Sequence, residues 1–285
     1  MKFELYYLYK ESVDSLYRVP DLMYGNTLIS CCAINNDMKI YLNDFATRSF
    51  RDVADQDYIA ARLSYRNGLY TQFHWQSLQA FEKYLKAILL YNRIKANDIN
   101  HDLARAIKHT EKLPFGIRRS DSTDEFIKHI SRFGRFRYLE SSYSIHGPKL
   151  VELDKAVWEI RRYCRVLNYD LNIGGGTLKN MLELEIEGII NAEKSPPHKF
   201  KIHGGLLEKI IENPENVSRG ALIWQNAFFG TVTRKSVKVP TPFQAVNSPL
   251  SLHPEMIDKV IEYVFLPKEV ITAYREAVKE KADPT

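Results

Sequence analysis

Long apolar runs are missing from this 285-residue chain: no stretch reaches about 18 uncharged apolar residues, so no transmembrane helix is expected. The opening Met1-Lys2-Phe3-Glu4 meets an acid at once and builds no signal-peptide core. Cysteine is scarce. Cys31, Cys32 and Cys164 form no Cys-x-x-Cys, and an odd count argues against a disulfide framework. Together these absences lead us to expect a cytoplasmic protein without membrane contact. Several catalytic signatures are also lacking. There is no His-Glu-x-x-His, and His198 and His203 have no nearby Cys or acidic ligand, so no metal site is expected. No Gly-x-Ser-x-Gly elbow supports a serine hydrolase. No Gly-x-Gly-x-x-Gly follows a strand, and Gly174-Gly175-Gly176 is not followed by Gly-Lys-Ser/Thr, so no bound cofactor is expected. Internal repeats and low-complexity tracts are absent as well.

What is present is the composition of a globular protein, 45% hydrophobic and 26% charged. The formal charge is +5. Residues 93–170 hold 16 Lys and Arg against 11 Asp and Glu, so this stretch alone accounts for the whole excess. A local basic excess is a footprint for an anionic partner or a well-solvated helical surface.

The patterning is helical from Asp55 onward. Thr71–Tyr91 is the strongest element, with Phe73, Leu78, Phe81, Leu85, Ile88 and Leu89 on one face and Gln72, Gln76, Gln79, Lys83 and Lys86 as a polar stripe. Phe73, Trp75, Tyr84 and Tyr91 fall beside the apolar face, and in a monomer they are expected to form an exposed patch that marks a homodimer interface. Asn100 is expected to cap a third helix with Asp102 in its first turn. A fourth helix runs from Ser122 or Thr123 to Phe133 and stops at Gly134, and a fifth runs from Pro148 to about Asn168. Between them, Tyr138, Tyr143 and Ile145 read as extended. Short strands are expected at Thr27–Ile34 and Met38–Leu42, flanking Asn35-Asn36-Asp37. Beyond the triple glycine, which reads as a linker, helical patterns recur at Leu178–Glu193, Gly205–Ile211 and Ser218–Phe228. A strand pair or extended arm at Thr231–Val239 and a helical pair at Pro254–Phe265 and Lys268–Lys281 complete the chain. The expected fold class is mainly α: a mixed α/β segment over 1–50, a helical bundle over 51–172 and a helical extension over 177–285.

One constellation stands out. Gln79-Ala80-Phe81-Glu82-Lys83-Tyr84-Leu85-Lys86-Ala87-Ile88-Leu89-Leu90 is followed, ten residues on, by Asn100-His101-Asp102-Leu103. Read from the residues alone, Gln79, Glu82, Lys83 and Lys86 form a solvated or dimer-facing helix surface, and His101 and Asp102 cap a helix. The pair of motifs resembles the HEPN family, whose long second helix reads approximately Gln-Ala-x-Glu-Lys-x-x-Lys-Ala-x-Leu and whose third begins His-Asp-Leu. The resemblance spans roughly 55–170. Arg135-Phe136-Arg137-Tyr138, followed by Tyr143, looks like the Arg- and Tyr-bearing segment that precedes the last helix of such domains.

The resemblance implies an up-and-down helical bundle, a homodimer and work on nucleotide or RNA. Many such proteins are ribonucleases, and it implies that active ones use an Arg followed by a His with four to six residues between. No interval here fits: Arg105 to His109 has three, Arg66 to His74 and Arg93 to His101 have seven, and Arg137 to His146 has eight. The expected function is therefore nucleotide or RNA binding with little or no catalysis. Lys128, Arg132, Arg135 and Arg137, interleaved with Phe133, Phe136 and Tyr138, are the candidate binding residues, because cations alternating with aromatics suit phosphate contacts and base stacking. The alternatives are a metal-independent ribonuclease, a toxin or defence effector using Arg137 and His146, and a protein-interaction scaffold.

Overall fold

A computed structural model describes residues 31–134, 139–173 and 177–282. Residues 40–285 cluster as one compact unit, and residues 1–39 as another, of which the start of one helix is described. The helices are α1 (Cys31–Phe45), α2 (Asp52–Arg66), α3 (Tyr70–Tyr91), α4 (Leu103–Thr110), α5 (Asp121–Phe133) and α6 (Lys149–Arg161). In the extension follow α7 (Leu182–Ala192), α8 (Leu206–Glu212), α9 (Arg219–Ile223), α10 (Pro249–Leu252), α11 (Ile257–Val260) and α12 (Lys268–Ala282). A six-residue π-helical stretch, Ala46–Arg51, joins α1 to α2. Two small antiparallel ribbons pair β1 (Tyr143–His146) with β4 (Phe243–Val246), and β2 (Asp170–Asn172) with β3 (Leu178–Asn180). Among the described residues no helix is long and apolar enough to cross a membrane.

α3 is the axis of the bundle. It has no Gly or Pro along its 22 residues, and its apolar face sits against α2, α5 and α6. Both ends are closed by local chemistry. Gly68 takes φ +72 after α2, so its amide reaches the Tyr65 carbonyl and that of Leu69 reaches Ser64, turning the chain back into α3. At the far end Arg93 adopts φ +60, its amide returns to Leu90 and that of Ile94 to Leu89. Phe73, Leu78, Phe81, Leu85 and Ile88 are fully buried, each contributing roughly 1.5–3 kcal/mol of burial. They pack with Tyr58 and Tyr65 of α2, Phe126 and Ile130 of α5, and Leu153, Val157 and Ile160 of α6. The same core cluster continues through Ile189, Leu207, Ile210, Leu222 and Phe229 of the extension.

Buried arginines fasten the extension to the bundle. Arg161 donates from Nε and Nη2 to Asp55 (2.7 and 2.8 Å) and from Nη1 and Nη2 to Glu208 (2.8 Å each). The Tyr84 hydroxyl donates to the same Asp55 at 2.7 Å. Arg62 pairs with Asp154 and donates to the carbonyls of Ala221 and Trp224. Arg162 lies 3.9 Å over the Trp158 ring and donates to the Ile189 carbonyl and to Glu193. Of the basic excess in 93–170, these two α6-end arginines are therefore internal, not displayed.

Several expectations are corrected. Cys31–Phe45 is a single helix, so the strands expected at Thr27–Ile34 and Met38–Leu42 are not formed over the described residues (27–30 lie outside them). Short apolar runs suit either state, and a strand also needs a partner edge. The N-cap of α4 is Asp102, not Asn100: its carboxylate accepts from the Arg105 amide at 3.1 Å. α6 ends at Arg161, well short of Asn168, where the backbone tightens to i→i+3 bonds and Arg162 turns toward Trp158. The first residues of Leu178–Glu193 form β3, and the Ser218 helix stops at Ile223. Of the two readings of Thr231–Val239, the strand pair is not formed; the strand of this region lies at Phe243–Val246, where β1 offers a pairing edge. Pro254–Phe265 is not one helix but a 3-10 turn followed by the short α11. The aromatic patch on α3 is also absent. Phe73 and Tyr84 are fully buried inside the chain's own bundle and Tyr91 is 8% exposed, because α2, α6 and the π-helical stretch cover the flanks of α3, and Trp75 is half-buried against His101. The triple glycine lies outside the described residues.

Candidate functional site

The family-motif residues on α3 are mostly engaged within the fold. Glu82 is buried, and its carboxylate accepts from Lys86 Nζ at 2.5 Å and from His101 Nδ1 at 2.6 Å. Gln79, one turn earlier, stands 3.3 Å from the same His101 nitrogen. Lys83 pairs with Asp57 of α2. His101 takes φ +58, and this left-handed turn delivers Asp102 to the N-terminus of α4. The two motifs thus meet in space: i, i+3 positions on α3 grip the His that precedes the α4 cap. Gln79, Glu82, Lys83 and Lys86 are not the free solvated stripe that the pattern suggested. They join α2, α3 and the α4 entry.

Two turns back along α3, a different cluster gathers around His74. Its Nε2 lies 3.0 Å from His129 Nε2 of α5. His74 is 1% exposed, and its Nδ1 has no hydrogen-bond partner among the described residues. Phe133 packs on both imidazoles, at 5.7 and 4.9 Å between ring centroids, and Tyr143 of β1 meets His74 edge-on at 5.5 Å. Gly134 makes this approach possible: a Cβ there would stand 2.7 Å from the His74 carbonyl and 2.8 Å from Leu78 Cβ. Burial drives the His74 pKa down to about 3, helped by His129 and Lys149. Burial also lowers His129, to about 4, assisted by the neighbouring Lys149, His146 and Arg132. Both rings are neutral at pH 7, so one donates to the other.

Around this pair the cations converge. Lys128 and Arg132 stand four residues apart on the exposed face of α5, and neither makes an ion pair among the described residues. Arg132 lies 5.2 Å over the Phe133 ring. Lys149, at the start of α6, is mostly buried and donates to Glu152 at 2.8 Å. His146 is exposed at the end of β1. Of the other expected site residues, Arg135, Arg137 and Tyr138 lie outside the described residues, so of the Arg137 and His146 pair only His146 is placed. Among the described residues no group of three or more His, Cys, Asp or Glu side chains is arranged to hold a metal ion.

Residues 47–161 match the HEPN domain family. The matched segment runs from the π-helical stretch to the end of α6 and includes both motifs, the histidine pair and β1; the rest of the chain is unassigned. No curated protein and no solved structure matches the chain. The helical bundle agrees with the HEPN fold, and the match points to nucleotide- or RNA-related work, which in this family is often ribonuclease activity.

Sequence patterning did not reveal the His74–His129 pair. The only signal was phase: His74 follows Phe73 on the buried side of α3, and His129 sits between Ile127 and Ile130 on α5. Nothing in a one-dimensional pattern says that two residues 55 positions apart share a proton.

Proposed function

We propose that this protein binds RNA or a nucleotide by its phosphates at the end of the HEPN segment formed by α5, β1 and the start of α6, and that it cleaves little or none of what it binds. The observation that carries this reading is the exposed pair Lys128 and Arg132, one turn apart and outside any ion pair among the described residues, beside His146. Cations left unneutralised at one end of a bundle suit an anionic ligand, and phosphates supply most of the affinity in nucleic-acid binding. Arg135, Arg137 and Tyr138 belong to this proposal by their place in the sequence, between α5 and β1.

The case against efficient cleavage is chemical. Metal-free hydrolysis of RNA needs a group that gives and takes protons near neutrality. His74 and His129 titrate far below that range and are bonded to each other, which leaves His146 as the one exposed imidazole of the cluster. The Arg137 to His146 interval also departs from the family's spacing. Self-association through the HEPN segment and a cytoplasmic setting are part of the same proposal.

Fluorescence anisotropy with a labelled single-stranded RNA, repeated at several salt concentrations, tests the binding. Replacing Lys128 and Arg132 together by Ala is expected to weaken binding and to lower the salt slope by roughly 0.7 per lost phosphate contact. Unchanged affinity and slope would move the site elsewhere. On a nuclease gel the wild-type protein is expected to give no appreciable cleavage. Activity that resists chelator and is abolished by either His146→Ala or Arg137→Ala would establish the ribonuclease reading instead.

A further inference from the structure

The ribbon of β1 and β4 carries a second kind of recognition chemistry beside the cations. Its register sets His146 directly opposite Phe243, and Ser144 opposite Ala245. Residues paired directly across an antiparallel ribbon share a face, and faces alternate along each strand. Tyr143 and Ile145 define the inner face: Ile145 is fully buried and Tyr143 packs against His74. The outer face therefore holds Ser144, His146, Phe243 and Ala245. Phe243 is 83% exposed, and His146 is exposed beside it.

This outer face is held from both ends. The hydroxyl of buried Tyr65 donates to the Pro240 carbonyl at 2.7 Å and lies 3.4 Å from the Gly147 carbonyl, so α2 fastens the chain just before β4 and just after β1. At the other end the Ser248 amide donates to Ser142 Oγ at 2.9 Å, and Ser142 donates to Ser251 at 2.8 Å. Tyr274 of α12 donates to the Glu140 carbonyl at 2.8 Å. An aromatic ring presented to solvent on so anchored a ribbon loses little conformational freedom when something stacks on it.

We infer that His146 and Phe243 form a stacking platform for an unpaired base of single-stranded RNA, so that the extension completes the binding site of the HEPN segment. The inference rests on the phosphate-binding reading above and adds the class of ligand. Tyr143 of β1 packs on His74, which lies 3.0 Å from His129 of α5, and Phe133 packs on His129 with Arg132 over its ring, so the ribbon and the α5 cations flank the same histidine pair. A phosphodiester backbone on the cations brings its bases within the neighbourhood of the ribbon. Bases in a duplex are already stacked on each other and offer their faces only at the ends, whereas every unpaired base has a free face for an aromatic ring.

The test uses the full chain, a short fluorescein-labelled single-stranded RNA and the same sequence as a blunt duplex. Phe243→Ala is expected to weaken single-strand binding about tenfold while leaving the salt slope and duplex affinity unchanged, because it removes stacking and no charge. Phe243→Trp is expected to retain wild-type affinity, and its added fluorescence to be quenched on binding. Circular dichroism of both variants should match wild type, since the ring is exposed. Single-strand affinity that is unchanged in Phe243→Ala, while Lys128→Ala with Arg132→Ala still weakens it, overturns the platform and leaves phosphate binding standing. A shift in sedimentation with unchanged RNA affinity also overturns it and makes Phe243 a contact between copies. Absence of any RNA binding by the wild type at low salt removes the phosphate-binding reading itself, and the platform with it.

Discussion

His74 shows how a single residue can be invisible to patterning yet central to the site. Its imidazole is buried beside Phe73, shares one proton with His129 and is capped by Tyr143. Because both imidazoles have depressed pKa values in the folded state, the unfolded chain binds protons more readily wherever the pH falls below the ordinary histidine value of about 6.5. Stability from this pair is thus fully present above about pH 6.5 and is lost progressively as pH falls toward about 4 for His129 and about 3 for His74. For buried His74 the slope approaches about 1.4 kcal/mol per pH unit. Urea unfolding between pH 7 and 4 should show this decline, and His74→Phe, which keeps a ring among Phe73, Phe133 and Tyr143 and removes the titration, should make it shallower. An equally steep decline in that variant would show that the acid sensitivity resides elsewhere.

The elements are joined by charged groups at crossing points as much as by apolar faces. Arg161 closes α6, grips Asp55 of α2 and reaches Glu208 of α8, so three helices depend on one guanidinium. Glu208 in turn accepts from the Ile202 amide at 3.0 Å. A Cβ at Gly205 would stand 2.0 Å from the Glu208 carboxylate and 2.9 Å from Arg161 Nη2, so a larger residue there would push Glu208 out of this bridge. Arg161→Ala would leave two buried carboxylates without their counter-ion. A loss of about 3–5 kcal/mol in unfolding free energy is expected, the size found when one partner of a buried pair is removed. A loss below about 1 kcal/mol in denaturant titration would mean that water replaces the guanidinium freely. The basic excess of residues 93–170 gave no sign that Arg161 and Arg162 point inward, both being 2% exposed.

At the scale of the whole molecule, the extension is part of the core that supports the HEPN segment. Leu207, Ile210, Leu222 and Phe229 pack into the same cluster as α3, and β4 pairs with the strand that precedes α6. The exposed large apolar side chains include Phe243, Tyr263 and Phe265, all in the extension, while the aromatic flank of α3 is covered. Phe73 and Tyr84 of α3 are thus spent within the bundle and offer nothing to a second copy, and the proposed homodimer rests on the habit of HEPN domains to dimerise. Sedimentation at micromolar concentration is expected to give twice the 33.2 kDa of the chain. A single species at the chain mass would remove the dimer without touching the RNA-binding proposal.

The sequence by itself determined the elements whose causes are local. α3 follows from an unbroken 3.6-residue period. The two motifs were legible because Gln79, Glu82, Lys83 and Lys86 repeat along one helix and His101-Asp102-Leu103 marks the next helix start. The extended character of Tyr143 and Ile145 was legible too. Only the tertiary structure decided which partners those elements found. Periodicity states which face of a helix turns inward, but it does not state what that face meets. A helical period leaves Glu82 on a solvated or dimer-facing surface and Tyr84 beside the apolar face; their partners, His101 and Asp55, come from other elements. The His74–His129 bond spans 55 residues and the Tyr65–Pro240 bond spans 175, and the register of β1 with β4 is set by such distant anchors. Contacts of that range depend on loop closure and packing of the whole core, so they leave no repeat in the sequence from which to read them.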